Sequence, residues 1–395
     1  MAASKASSLF FLLFAELAGL SLWFTSAAVL PEMMREAAIP TVRQALLSSG
    51  VQAGFVVGAL FFSISGIPDR YDPRRVLALS AVLASAFNLS LVVLPPGGDA
   101  AILARVATGA LLAGVYPVGM KIAVGWGTKD RGFIVGLFIG ALVFGNSIPF
   151  LAAFLGGPHW RATVAAVSAV ACLGGFAVLA AGLGPHHARS LRFEPRAIRL
   201  AWTDRRIRAA YLGYLGHMWE LYVMWAWAGV ATLASYSRAM APDQAARLAA
   251  LTAFLGIAVG AVTCIAAGAV ADRIGKAEVA VAAMAVSGLC AVLTAVTFGG
   301  PVWITFAVVL VWGISVAPDS GQFSALVADY APPQSVGSLL AFQTALGFAL
   351  TAVTVQLAPL AAGLFGWPVV LAATALGPAV GILAMLPLRR SARRS

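Results

Sequence analysis

Glu16 and Glu220 each fall near the middle of a long apolar run. At 1.5 Å per residue, Glu16 lies roughly 13 Å into its run and Glu220 about 18 Å into its own. A charge at that depth in lipid costs about 2.5 kcal/mol or more unless it has a partner, a watery cavity or a task. His217 stands one turn before Glu220, on the same helical face. A carboxyl group in a medium of low dielectric favours its neutral form, and a nearby imidazole can exchange a proton with it. The chemistry expected of Glu16, Glu220 and His217 is therefore reversible proton binding. The alternative is that they only hydrogen-bond neighbouring helices.

A second group of polar residues could hold a solute or close a gate. Asp319 follows Pro318, which frees a backbone carbonyl and can kink a helix, and Ser320, Gln322 and Ser324 continue the polar stretch. Trp219, Tyr222, Trp225 and Trp227 surround Glu220 in sequence. Trp219 and Tyr222 could meet a cationic ligand through their rings, or serve as packing and interface anchors. Asn146 and Gln343, with Asn88, could line a cavity or link helices.

The elements that must position these side chains are membrane helices. Apolar residues make up 61% of the 395, charged ones 10%, and the mean hydropathy is +0.91. So little polar surface excludes a soluble protein. Twelve runs long enough to span can be drawn, at about 7–30, 44–66, 75–95, 100–123, 132–155, 161–183, 208–233, 247–270, 277–298, 301–323, 337–361 and 366–388. The expected fold is thus all-α, with 12 transmembrane helices in two pseudo-symmetric six-helix bundles. The polar stretch 184–207 separates an N-terminal bundle at 1–183 from a C-terminal one at 208–395.

A net charge of +11 would suggest nucleic acid in a soluble protein, but here the basic residues sit in short loops and read as topology signals. With both termini in the cytoplasm, 20 of the 26 Lys and Arg fall on the inner side. Seven of them are Arg189, Arg192, Arg196, Arg199, Arg205, Arg206 and Arg208, where a surface helix with Leu200 and Trp202 at the interface is expected. The expected location is the inner (cytoplasmic) membrane, as a multi-pass protein. Cys172, Cys264 and Cys290 have no paired spacing, so neither a disulfide framework nor a metal site is expected, and no cofactor.

Two turns give the strongest pattern. Gly268, Asp272, Arg273, Gly275 and Lys276 stand between two runs, and a degenerate echo lies 203 residues upstream: Ser65, Asp69, Arg70, Asp72, Pro73, Arg74 and Arg75. Pro117 and Gly119 echo Pro318 and Gly321 at a similar offset. The unit is duplicated. The second turn resembles the signature of the major facilitator superfamily, roughly G-x-x-x-D-R-x-G-R-R/K, while the first departs at both glycines. The resemblance implies two six-helix halves that rock about a central site.

Arg105 with Gly109 resembles the superfamily's Arg-x-x-x-Gly element on the fourth helix. In the superfamily's drug/proton antiporters such an arginine works with a membrane-embedded acid, which implies that Arg105 tunes Glu16. The alternative is an arginine snorkelling at the outer interface. Gly136, Gly140 and Gly145 match the antiporters' fifth helix only in part, and the acidic midplane disfavours nitrate-type transport.

The expectation is a secondary active transporter, not an enzyme: a proton-coupled carrier of a small organic solute, with efflux antiport ahead of uptake symport. Its partners are a small-molecule substrate, protons and the lipid bilayer; it binds no nucleic acid and acts as a monomer. A membrane sensor or intramembrane enzyme is the alternative of another class, but no P-loop, HExxH or GxSxG with its partners is present.

Overall fold

A computed structural model describes residues 4–128, 130–157, 159–187 and 195–392. Lys129, Arg189, Arg192 and the middle of the expected linker, 188–194, lie outside those residues. All the regular structure among them is helical, because in lipid each backbone N–H and C=O must find a partner within its own segment.

Among the described residues twelve helical spans follow one another: α1 (Lys5–Glu36), α2 (Thr41–Ser65), α3 (Pro73–Ser90), α4 (Asp99–Val124), α5 (Arg131–Gly156), α6 (Trp160–Ala180), α7 (Arg205–Tyr236), α8 (Pro242–Ile274), α9 (Lys276–Thr297), α10 (Val302–Tyr330), α11 (Val336–Phe365) and α12 (Trp367–Arg389). Among the described residues, ten are apolar and long enough to cross a membrane. The other two, α3 and α7, are diluted by polar groups: Arg74, Arg75 and Asn88 in one, His217, Glu220 and the basic start at Arg205 in the other.

Small residues set the closest approaches. Gly54 and Gly58 of α2 meet the backbone of α4 at Val106 and Ala110, and Gly109 of α4 meets that of α2 at Val51. In the second half, Gly256 of α8 and Gly313 of α10 meet in the same way. Gly313 is 204 residues beyond Gly109, so the duplication extends to helix packing. A methyl group at Gly54, Gly58, Gly109 or Gly313 would push two backbones apart.

Several spans are broken. Span α1 is interrupted at residues 21–24, α4 at 113–115 and α10 at 317–319. The α10 break falls where Pro318 was expected to produce one. The halves meet along α2 with α11 and α5 with α8: Ser49 Oγ donates to Gln356 Oε1 at 2.7 Å, and Gly140 lies against Ile265. At the end away from the linker, Arg35 pairs with Asp243 at 3.2 Å.

Candidate functional site

The break in α1 strands carbonyl groups that hydroxyls and one guanidinium recover. Ser21 Oγ donates to Ala18 O at 2.6 Å and Thr25 Oγ1 to Ser21 O at 3.2 Å. Arg105 of α4, fully buried, donates to Leu22 O at 3.0 Å, to Trp23 O at 2.6 Å and to Asn88 Oδ1 at 2.5 Å. Asn88 in turn donates to Ser168 Oγ at 2.9 Å. Arg105 therefore does not snorkel at an interface, and no hydrogen bond joins it to Glu16 among the described residues. It is tied to the backbone of the helix that carries that acid.

Glu16 itself is wholly buried. Its neighbours along α1 fix its direction: Leu17 lies against Gly145 of α5, Ala15 and Ala18 against Gly174 of α6, and Gly19 against Val115 of α4. At about 100° per residue, Glu16 falls in the remaining sector, opposite α6. Trp23, in the break beyond it, stands at the seam, where its ring meets Phe348 at 5.3 Å and Tyr222 at 5.9 Å in the other half. Glu16 thus faces the seam between the halves. On α5, Gly145 faces α1 and Gly140 faces Ile265 of α8, which turns Asn146 toward the gap between those two helices. Neither oxygen of Glu16 and neither side-chain heteroatom of Asn146 has a hydrogen-bond partner among the described residues. Tyr116, at the α4 break, stands within electrostatic reach of Glu16 and of Tyr222.

Glu220 is placed differently. Its Oε2 accepts from Ser287 Oγ of α9 at 2.8 Å and its Oε1 from Trp312 Nε1 of α10 at 2.7 Å. It points into the second half, on the face of α7 opposite Tyr222. His217 shares a face with Glu220 yet turns to the α10 break: Nδ1 comes within 2.9 Å of Asp319 Oδ1, off the line of a hydrogen bond, and Nε2 lies 2.9 Å from Ser320 Oγ. The pair that forms is His217 with Asp319.

Trp219 donates its indole N–H to Ala373 O at 3.1 Å and packs on Gly377 of α12, away from the first half. Tyr222 does reach the seam, among Trp23, Phe24, Trp225 and Phe348. Gln343 Oε1 takes a 3.4 Å bond from Ser324 Oγ, and its Nε2 has no partner among the described residues. The inter-half ring cluster of Trp23, Phe24, Phe55, Tyr222 and Phe348 was not legible in the sequence beyond Tyr222. Its members come from four helices, so no local spacing could signal it. Among the described residues no group of three His, Cys, Asp or Glu could hold a metal ion.

A sequence model of the Major Facilitator Superfamily matches residues 9–354. The chain belongs to that superfamily. Among curated proteins none matches it significantly. Solved structures similar to it include the nucleoside transporter NupG in a mutant form, at 13% identity, covering 97% of this chain and 99% of the other, with a TM-score of 0.74. A bacterial homologue of the human lysosomal transporter Spinster, inward-facing and unoccupied, is 12% identical over 98% of both chains, with a TM-score of 0.76. The D-xylose–proton symporter is 14% identical over 96% of this chain and 97% of the other, with a TM-score of 0.74. At such identities the likeness is one of fold, the twelve-helix fold of the Major Facilitator Superfamily.

The two superfamily signature turns differ in build. In the second, α8 runs unbroken through Asp272 and Arg273 to Ile274, and Gly275 turns the chain at φ 104°. Gly268, Asp272 and Arg273 make no hydrogen bond or ion pair beyond the helix among the described residues, while Lys276 pairs with Asp329 at 2.5 Å. In the first, Gly66, which directly follows Ser65, breaks the chain at φ 63°. Asp69 pairs with Lys121 there, Arg70 is exposed, and Arg74 grips Asp72 at 2.7 Å and Ala181 O at 2.9 Å. The Arg74 guanidinium holds the Asp72 carboxyl below the usual aspartate range.

Proposed function

We propose that this chain is a secondary active transporter that moves a small organic solute by alternating access, driven by proton exchange, with efflux antiport as the favoured mode. Residues 1–183 and 208–395 would act as the two rocking halves and 184–207 as the cytoplasmic linker, with both termini in the cytoplasm of an inner-membrane monomer. The observation that carries the reading is Glu16: a buried carboxyl group on the seam between halves, without a partner among the described residues. A group of that kind is stable only if a proton, water or a ligand completes it.

The coupling set is Glu16, with Arg105 holding its helix, and Glu220 and His217 in the second half. The aromatic cluster supports the reading as a barrier on one side of Glu16, since Trp23 and Phe24 lie further along α1 toward the Arg35 end. Asp319 enters as the partner of His217 rather than as a substrate contact.

Vesicles containing the purified protein and a pH-sensitive dye test this. Adding a transported solute should shift the lumenal pH with wild type, and Glu16→Gln should abolish the shift. Flux that proceeds without any pH change, unaltered in Glu16→Gln and Glu220→Gln, would reject proton coupling.

A further inference from the structure

We infer that Glu16 and Asn146 form a subsite for an organic ammonium group whose apolar body lies against the Trp23, Phe55 and Phe348 rings. The inference rests on the transport reading above and names the solute class for that same seam.

Four side-chain heteroatoms in one sector have no partner among the described residues: both oxygens of Glu16 and both polar atoms of Asn146. Both side chains are fully buried. The Leu17–Gly145 contact places them on one side of the α1–α5 crossing, since in two parallel helices the residue before one contact and the residue after the other turn the same way. A buried polar group left open costs about 1–3 kcal/mol, so two together mark a place completed from outside the chain.

The chemistry selects the completing group. A carboxylate offers only acceptors, and an amide offers both an acceptor and donors. An ammonium supplies N–H donors to Glu16 and to Asn146 Oδ1. Among the described residues the one Arg or Lys that is wholly buried, Arg105, directs its two terminal nitrogens to Leu22 O, Trp23 O and Asn88 Oδ1 and makes no hydrogen bond to Glu16. An organic anion could take the Asn146 Nδ2 donors but would face the Glu16 carboxylate as a like charge. The rings beside Trp23 (Phe55 at 5.0 Å, Phe348 at 5.3 Å) suit an apolar body, and an aromatic face attracts a cation. A proton and an ammonium cannot occupy one carboxylate together, which gives exchange a physical basis.

The test is binding to the full-length protein in detergent, read by thermal shift and tryptophan fluorescence with 2-phenylethylamine, its uncharged isostere 2-phenylethanol, and benzoate. Stabilisation by the amine alone is expected, at least tenfold weaker in Glu16→Gln and Asn146→Leu and largely kept in Glu16→Asp. Equal response to amine and alcohol, a response to benzoate, or an amine response unchanged in Glu16→Gln overturns the subsite. Because each variant is compared with itself across three probes, a general loss of stability does not mimic the result. Failure here with proton-linked flux of another solute intact rejects only the subsite. Amine binding without flux in vesicles rejects the transport reading instead.

Discussion

His217 Nδ1 and Asp319 Oδ1 lie 2.9 Å apart, both side chains almost wholly buried, across the break that divides α10. Tyr214 and Phe323 flank the imidazole, with ring centroids 6.4 and 5.6 Å away. Ser320 Oγ at 2.9 Å takes its other nitrogen. The pair ties the centre of α7 to the point where α10 is interrupted, so its geometry and the break in α10 depend on each other.

A double-mutant cycle should reveal that dependence. His217→Gln and Asp319→Asn are expected to destabilise non-additively, with a coupling of about 0.5–3 kcal/mol as for directly interacting residues. Thermal unfolding of the two singles and the double measures it. Additive effects would mean the two groups only pass close to each other.

Arg105 has a structural task that can be weighed. Truncation removes its bonds to Leu22 O, Trp23 O and Asn88 Oδ1. At about 0.6 kcal/mol per hydrogen bond within membrane proteins, Arg105→Ala should cost roughly 2 kcal/mol. Arg105→Lys keeps the charge but not the fork, and should recover only part. Unfolding in detergent reports both, and an Arg105→Ala protein as stable as wild type would contradict the assignment.

The two turn glycines should rank unequally. Gly66, at φ 63° and ψ 20°, is in the left-handed region, where Ala costs about 1–2 kcal/mol and Asn is tolerated. Gly275, at φ 104° and ψ 144°, lies close to a region open essentially to glycine alone, at about 1–3 kcal/mol per strained residue. Gly66→Asn should therefore be mild and Gly275→Asn severe, in melting temperature and in folded yield.

Acid should weaken the first turn through Asp72. This residue caps α3 by accepting from Arg74 N at 3.0 Å, and it grips the same arginine's side chain. Because the Arg74 guanidinium lowers its affinity for a proton when folded, its stabilisation is full above the ordinary aspartate value of about 4. That stabilisation is lost as pH falls through the lower folded value. Asp72→Asn keeps a cap without the charge, so melting temperature should fall less steeply below about pH 4 in the variant than in wild type.

Much of the architecture was set by local chemistry that one chain displays. Long apolar runs must become helices in lipid, Pro318 favours the interruption of α10, and a glycine such as Gly275 must turn where no other residue can. Partners were decided elsewhere. Glu16 and Glu220 look alike as acids near the middle of apolar runs, yet one faces an inter-half seam unpaired while the other is closed off by Ser287 and Trp312. His217 shares a helical face with Glu220 but answers to Asp319, about a hundred residues away. The α1 break carries no Gly or Pro at 21–24 and is held by Arg105 from another helix. Periodicity tells which residues share a face of a helix. Which neighbour that face meets depends on how twelve helices pack, and for a helix buried on every side, such as α7, hydropathy offers no direction at all.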